Sequence, residues 1–272
     1  MEKTSVLVQD ASGNPFGKVS RLSLTAAVSG GKTILRDVRF TAPYKIMHPF
    51  PQPDGSIQVM LLSASAGSMA GDRQEFDLNI LEGASVEFVS QSYEKIHQMK
   101  EGHAGRQVHI RVAANASFCF HPQPTIPFAG SAFDNRMRIE LEDETSRFRM
   151  CEIFSCGRSA RGESFAYRFY HSLTEIYRGG SIIYRDNTRY DPALFDLAGM
   201  GMYEFHTHLA SLFLTRPEEP SETLRQIRAF LEEQEDVEGA ATMLSQGDLV
   251  VRILGSRAQR LEDLSSHILA FA

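Results

Sequence analysis

The stretch Arg21-Leu22-Ser23-Leu24-Thr25-Ala26-Ala27-Val28-Ser29-Gly30-Gly31 sets Leu22, Leu24, Ala26 and Val28 on one side of an extended chain and Arg21, Ser23 and Thr25 on the other. Successive side chains of a strand point to opposite faces, so this alternation predicts a half-buried strand that breaks at Ser29-Gly30-Gly31. The period returns at Phe76, Leu78 and Ile80 against Glu75, Asp77 and Asn79, and at Val108, Ile110 and Val112 against Gln107, His109 and Arg111. Short punctuators separate the segments: Pro53-Asp54-Gly55, Glu82-Gly83, Ala114-Asn115, Ala129-Gly130 and Arg178-Gly179-Gly180. The gaps are too short for helical crossovers, so a largely antiparallel or coiled all-β body is expected, rather than βαβ units.

This β body runs from about 19 to 190, and after Pro192 the pattern changes. Pro220 and Ser221, the latter a plausible N-cap, precede Leu224, Ile227 and Leu231 at helical steps, and Leu261, Leu264 and Ile268 form a second helical stripe. These stripes can pack on the chain's own β body or on a partner helix. Leu249 to Leu254 between them reads as a strand. With no repeat of fixed period and no low-complexity linker, residues 1–272 are expected to form a single domain, mainly β, with a helix-containing C-terminal part from about 192 to 272.

The 272 residues carry 28 basic and 34 acidic side chains, a formal charge of 28 − 34 = −6, with 42% hydrophobic residues. A chain near this size buries about 75% of its unfolded surface, and the composition is that of a globular protein. Eighteen Phe and eight Tyr against no Trp favour strands. A pI near 5.9 argues against a nucleic-acid binder, whose domains usually exceed a pI of roughly 9. The first ten residues, Met1 to Asp10, lack the basic start and apolar stretch of a signal peptide, and no segment reaches the roughly 20 apolar residues of a membrane span. A cytoplasmic location is expected. Cys119, Cys151 and Cys156 form no C-x-x-C pair and are expected to be reduced.

Familiar catalytic motifs fail. Gly31-Lys32-Thr33 ends like a phosphate-binding loop, but position 26 is Ala where that motif needs Gly, and alternating apolar residues flank it as in a hairpin. His206 and His208 could share a strand face as in a cupin-like metal enzyme, yet Leu209 to Leu214 offers no carboxylate to complete a site. No nucleophile elbow or dinucleotide fingerprint is present. A catalyst is therefore not expected.

Two carboxylates stand out of phase. Glu152 shares a strand face with Phe148, Met150 and Phe154, and Asp186 is in phase with Ile182 and Tyr184. A buried carboxylate is costly unless protonated, paired or bound to a cation, so each implies an internal ion pair with an arginine or a cation path. Three further segments are distinctive: the small-residue loop Ser65 to Arg73, the polar strand end Ser90 to His97, and His121 to Phe128 with three prolines in an extended connection.

These segments, in order, resemble the urease accessory protein family UreD, called UreH in some bacteria. The resemblance rests on Ala42-Pro43-Tyr44-Lys45 leading to Pro49-Phe50, Gly67 to Asp72, Ser90 to His97, Pro122 to Phe128, Gly157 to Glu163, and Asp186-Asn187-Thr188. It spans nearly the whole chain, with Ala70-Gly71-Asp72 standing where the family has Gly-Gly-Asp.

The resemblance implies a coiled, β-helical body of many strands with two C-terminal α-helices. It implies a non-enzymatic maturation chaperone that binds apo-urease on one side and the accessory protein UreF on the other, with the GTPase UreG recruited through UreF. A dimer of heterodimers with UreF is the family expectation. Nickel would be cargo in transit through an internal passage, with no permanently bound cofactor or metal. By the family match Asp72, Glu152 and Asp186 are candidate passage residues; Ser90, Glu94 and Lys95 are secondary candidates, with Glu94 replacing a small residue of the relatives. Nickel(II) binds oxygen and imidazole ligands strongly, so a conduit must avoid complete ligand cages.

Overall fold

The computed structural model describes residues 17–271; the Met1 to Asp10 reading lies outside the described residues. The chain opens with a hairpin, β1 (Val19–Ser29) and β2 (Lys32–Phe40), followed by the short strands β3 (Tyr44–Ile46) and β4 (Phe50–Pro51). It then winds through β5 (Ile57–Ser63), β6 (Arg73–Ile80), β7 (Ser85–Ser90), β8 (Glu94–Ile96), β9 (Ala104–Val112), β10 (Ser117–His121), β11 (Thr125–Pro127), β12 (Ala132–Leu141), β13 (Arg147–Ser155) and β14 (Phe169–Arg178). Next, β15 (Ser181–Tyr190) folds back on β14, and the remainder supplies β16 (His208–Leu214), α1 (Pro220–Glu232), β17 (Val237–Met243), β18 (Leu249–Gly255) and α2 (Ala258–Leu269).

Of the two arrangements open from sequence, the coil is the one observed. β1, β6, β9, β12 and β14 pair in parallel in one sheet, and β5, β7, β10 and β13 pair in parallel in the other. The chain alternates between the sheets from β5 to β14, apart from the short strands β8 and β11, so parallel neighbours arise without helical crossovers. Tight turns at Leu81–Ala84, Ala113–Ala116 and Asp143–Ser146 stack at one end, each closed by a backbone hydrogen bond of 3.0–3.3 Å. The hairpin at Ser29-Gly30-Gly31-Lys32 pairs Ser29 with Lys32 directly, with both glycines at positive φ, which disposes of the phosphate-loop likeness.

Inward-facing rows of side chains fill the space between the sheets. Leu24, Leu78, Ile110, Ile139 and Ile176 stand in register across the first sheet; Val59, Phe88, Phe120, Met150 and Phe213 do so across the second. All ten are buried. Burying each such side chain stabilises the fold by about 1.5–3 kcal/mol.

Antiparallel β16, β18 and β17 extend the second sheet, so the C-terminal part continues the β body rather than hanging from it. Both helices pack on the outer face of this extension, where Ile227, Leu231, Leu261, Leu264 and Ile268 meet Cys151, Ile153 and Val251. The helical stripes therefore serve self-packing, and β13 is buried on both faces. α1 begins at Pro220 with Glu219 at the cap position, a correction to Ser221; proline suits the first helical position because its missing N–H has no partner there anyway. All three cysteines are free and buried.

Candidate functional site: two cavities joined at an ion pair

Two inward positions along the strands from the Leu24 row, the interior face of the first sheet becomes polar. Ser20, Gln74, Arg106, Asn135, Ser172 and Thr188 are in register across six neighbouring strands. The first four are buried. Beyond them lies an aromatic cluster that includes Phe133, Phe154, Tyr170, Tyr190 and Tyr203. A polar layer thus crosses the interior between an aliphatic and an aromatic zone, and buried polar groups at such a depth must find hydrogen-bond partners.

Two cavities open on this layer. The larger, about 730 Å³, is lined by Ser20, Tyr44, Asp72, Gln74, Glu94 and Arg106 among others. Four of the six segments that carry the family resemblance contribute to it: Ala42 to Lys45, Gly67 to Asp72, Ser90 to Lys95, and Pro122 with Gln123. The smaller, about 50 Å³, is lined by Glu152, Ser172, Asp186, Thr188, Tyr190 and Ser211 among others. Asp72, Ser90, Glu94 and Lys95 therefore belong to the larger cavity, and Glu152 and Asp186 to the smaller. Among the described residues none lines both; an ion pair links Arg106 on one side to Glu152 on the other.

In the large cavity Glu94 Oε1 accepts hydrogen bonds from Ser68 Oγ at 2.7 Å and Gln74 Nε2 at 3.1 Å. Close backbone approach holds this corner together: Ser68 N donates to the Lys95 carbonyl and His97 N to the Ser68 carbonyl. Gly67 lies at φ +137, and a Cβ there would overlap the Lys95 carbonyl oxygen. Asp72 ties its own turn, accepting from Met69 N at 2.8 Å and Lys18 N at 3.3 Å. Ser90 Oγ accepts from Gln123 N at 2.8 Å and so joins two of the marker segments. The lining carries Lys18, Lys45, Arg73, Lys95 and Arg106 against Asp72 and Glu94, an excess of positive charge.

In the small cavity both carboxylates are held by arginines. Arg106 Nη2 lies 3.2 Å from Glu152 Oε1, with side chains 7% and 20% exposed, and Arg106 Nε donates to Asn135 Oδ1 at 2.9 Å. Asn135 Nδ2 in turn donates to Ser172 Oγ at 3.1 Å. Burial raises the Glu152 pKa, partly offset by Arg106 and Asn135. Arg252 Nη2 lies 2.6 Å from Asp186 Oδ2. A register shift at Ile176/Tyr177 keeps Tyr184, Asp186 and Thr188 facing inward while turning Ile182 out to solvent, a correction to its predicted phase.

Among the described residues no three His, Cys, Asp or Glu side chains are grouped to hold a metal. His206 Nε2 is 3.8 Å from Glu238, while His208 Nδ1 shares a 2.8 Å hydrogen bond with Thr207 Oγ1. Burial lowers the His208 pKa and raises those of Cys119 and Cys151 to about 11 and about 12, so both thiols are protonated at neutral pH. No helix is long and apolar enough to cross a membrane.

Residues 18–272 match the family model described as the UreD urease accessory protein. The chain belongs to the UreD family. It is 40% identical to a urease accessory protein UreD of Acetivibrio thermocellus over 92% of this chain and 96% of the relative. It is 35% identical to a urease accessory protein UreH of Helicobacter pylori over 95% of this chain and 96% of that one, and 27% identical to a UreD of Flavobacterium johnsoniae over 89% and 88%. The family's role is accessory to urease, and the marker segments that singled it out in the sequence are largely those that wall the large cavity. Sequence reasoning missed Gln74, Arg106 and Asn135. The signal was available, since each is in phase with apolar neighbours, Phe76, Val108 and Met137, as Glu152 is with Met150.

Proposed function

We propose that this chain is a non-catalytic maturation chaperone that conducts nickel to apo-urease through the two cavities and the polar layer between them. It binds apo-urease and UreF, with UreG reached through UreF in a dimer of heterodimers, and acts in the cytoplasm. The observation carrying the reading is the continuous row of polar inward positions, Ser20 to Thr188, that runs from the lining of one cavity to the lining of the other. Carboxylates in the two cavity linings attract a divalent cation, while hydrogen bonds to Asp72 and Glu94 and the arginine partners of Glu152 and Asp186 keep any one of them from becoming a tight site. Nickel is the cargo and no resident cofactor is required.

The test is nickel per active site in urease produced with and without this chain, and with Asp72→Asn, Glu152→Gln or Asp186→Asn. Nickel-poor urease without the chain, and reduced loading with the amides while UreF still co-purifies, is the expected result. Full activation by all three amide variants would remove these residues from the route. Turnover by the isolated chain with metal held at His206 and His208 would replace the chaperone reading by a cupin-like enzyme.

A further inference from the structure

Among the described residues the two cavities share no lining residue, and the Arg106 guanidinium stands between them. Arg106 is buried, is fixed at Nε by Asn135, and points Nη2 at Glu152. Two carboxylates flank it: Glu152 in the small cavity and Glu94 in the large one, the latter held by Gln74, which is the direct register neighbour of Arg106. Both carboxylates raise the Arg106 pKa against the lowering effect of burial, Glu152 more strongly than Glu94. Arginine stays protonated under any physiological condition, so the barrier it presents is a fixed positive charge.

We propose that Arg106 is the charge gate between the cavities: paired with Glu152 it closes the route to free cations, and cargo passes only when the guanidinium leaves Glu152. This rests on the passage reading above. The closed state excludes cations because Glu152 is already neutralised by Arg106, while Glu94 on the other side is held by Ser68 and Gln74. In the open state Glu94 offers the guanidinium a second partner, and Glu152 is released to face the ion. The pair thereby also protects Glu152 from acting as a trap, since a buried carboxylate without its arginine is an uncompensated charge that a divalent cation would satisfy.

The opposite signs of the two partners make the proposal testable with the full chain in complex with UreF. Three variants are compared, Arg106→Gln, Glu152→Gln and the double Arg106→Gln/Glu152→Gln, with Arg106→Lys as the charge-conserving control. Nickel retained after equilibrium dialysis against nickel(II) chloride is measured on each purified complex, and nickel per active site on co-produced urease. Arg106→Gln is expected to retain about one nickel per chain where the wild type retains substantially less, and to load urease several-fold less. Glu152→Gln removes the carboxylate that faces the ion while keeping the guanidinium at the junction, and is expected to lower loading without retaining metal. The neutral double variant, in which neither charge is left buried alone, is expected to load urease better than either single variant, and Arg106→Lys to retain no metal. Melting temperatures show that each complex is folded; should Arg106→Gln not fold, the double variant against Glu152→Gln decides alone.

A double variant no better than Glu152→Gln overturns the gate. If Glu94→Gln and Asp186→Asn lower loading in the same experiment, the passage survives that failure. If none of the variants alters loading, the passage reading falls together with the gate.

Discussion

Arg178 at the end of β14 reaches Asp248, the residue just before β18, with Nη2 2.6 Å from Oδ1 and the two side chains 5% and 0% exposed. The same carboxylate accepts Arg216 N at 2.9 Å, and Gln246 accepts a further hydrogen bond from Arg178 at 3.0 Å. One ion pair therefore fastens the last parallel strand of the first sheet to the C-terminal extension of the second, at the end of the interior remote from the polar layer.

Removing one partner of a buried pair leaves the other charge uncompensated, at a cost of about 3–5 kcal/mol. Arg178→Ala is expected to lower the unfolding free energy by that amount in urea titration. The double variant Arg178→Met/Asp248→Leu, which leaves no buried charge, is expected to recover much of the loss.

The coil was legible in outline because each strand carries its own period-two signature and the turns are too short for helices. Pairing was not, since parallel and antiparallel neighbours bury the same faces. Out-of-phase polarity exposed Glu152 and Asp186 because they are carboxylates among large apolar residues. Gln74, Arg106 and Asn135 obey the same rule but sit at or near strand starts, where a polar residue reads equally well as the edge of a turn; only register shows that they form one row. Nor does phase reveal that Cys151 and Ile153, on the opposite face from Glu152, are covered by α2.

Glu262 on α2 is buried, and its Oε1 has no hydrogen-bond partner. Burial foremost raises its pKa above the ordinary 4.5; hydrogen bonds to Gln123 and Tyr93 oppose it, and Asp263 adds to it. Between 4.5 and the raised value the folded chain holds a proton that the unfolded chain has lost, so this group's contribution to stability falls as pH rises through that window. Glu262→Gln removes the dependence. Its melting temperature relative to wild type is expected to increase from about pH 4 to about pH 7, measured by thermal unfolding at fixed ionic strength.

Gly67→Ala meets two obstacles at once, a φ of +137 and overlap of the new Cβ with the Lys95 carbonyl and the His97 ring. The backbone must shift, and with it the Ser68 to Lys95 hydrogen bond that positions Glu94. A destabilisation of more than about 1 kcal/mol is expected, read by urea titration, together with lower nickel per urease active site. Gly102→Ala, also at positive φ but with nothing within 4 Å of its Cβ, separates the two effects: it carries the backbone strain without disturbing the cavity wall.

Asp186 and Arg252 join opposite sheets at the small cavity, but Arg252 is 46% exposed, so solvent screens the bridge. Losing it is expected to cost about 1 kcal/mol or less. Asp186→Asn and Arg252→Gln should therefore melt within a few degrees of wild type and of each other, yet differ in delivery. The first deletes a carboxylate from the cavity and is expected to lower nickel per active site several-fold. The second frees that carboxylate from its counter-ion, and the purified complex is expected to retain more nickel on dialysis than wild type. Equal loss of loading in both variants, with no retained metal in the second, would mean that the bridge matters only as a tie between the sheets.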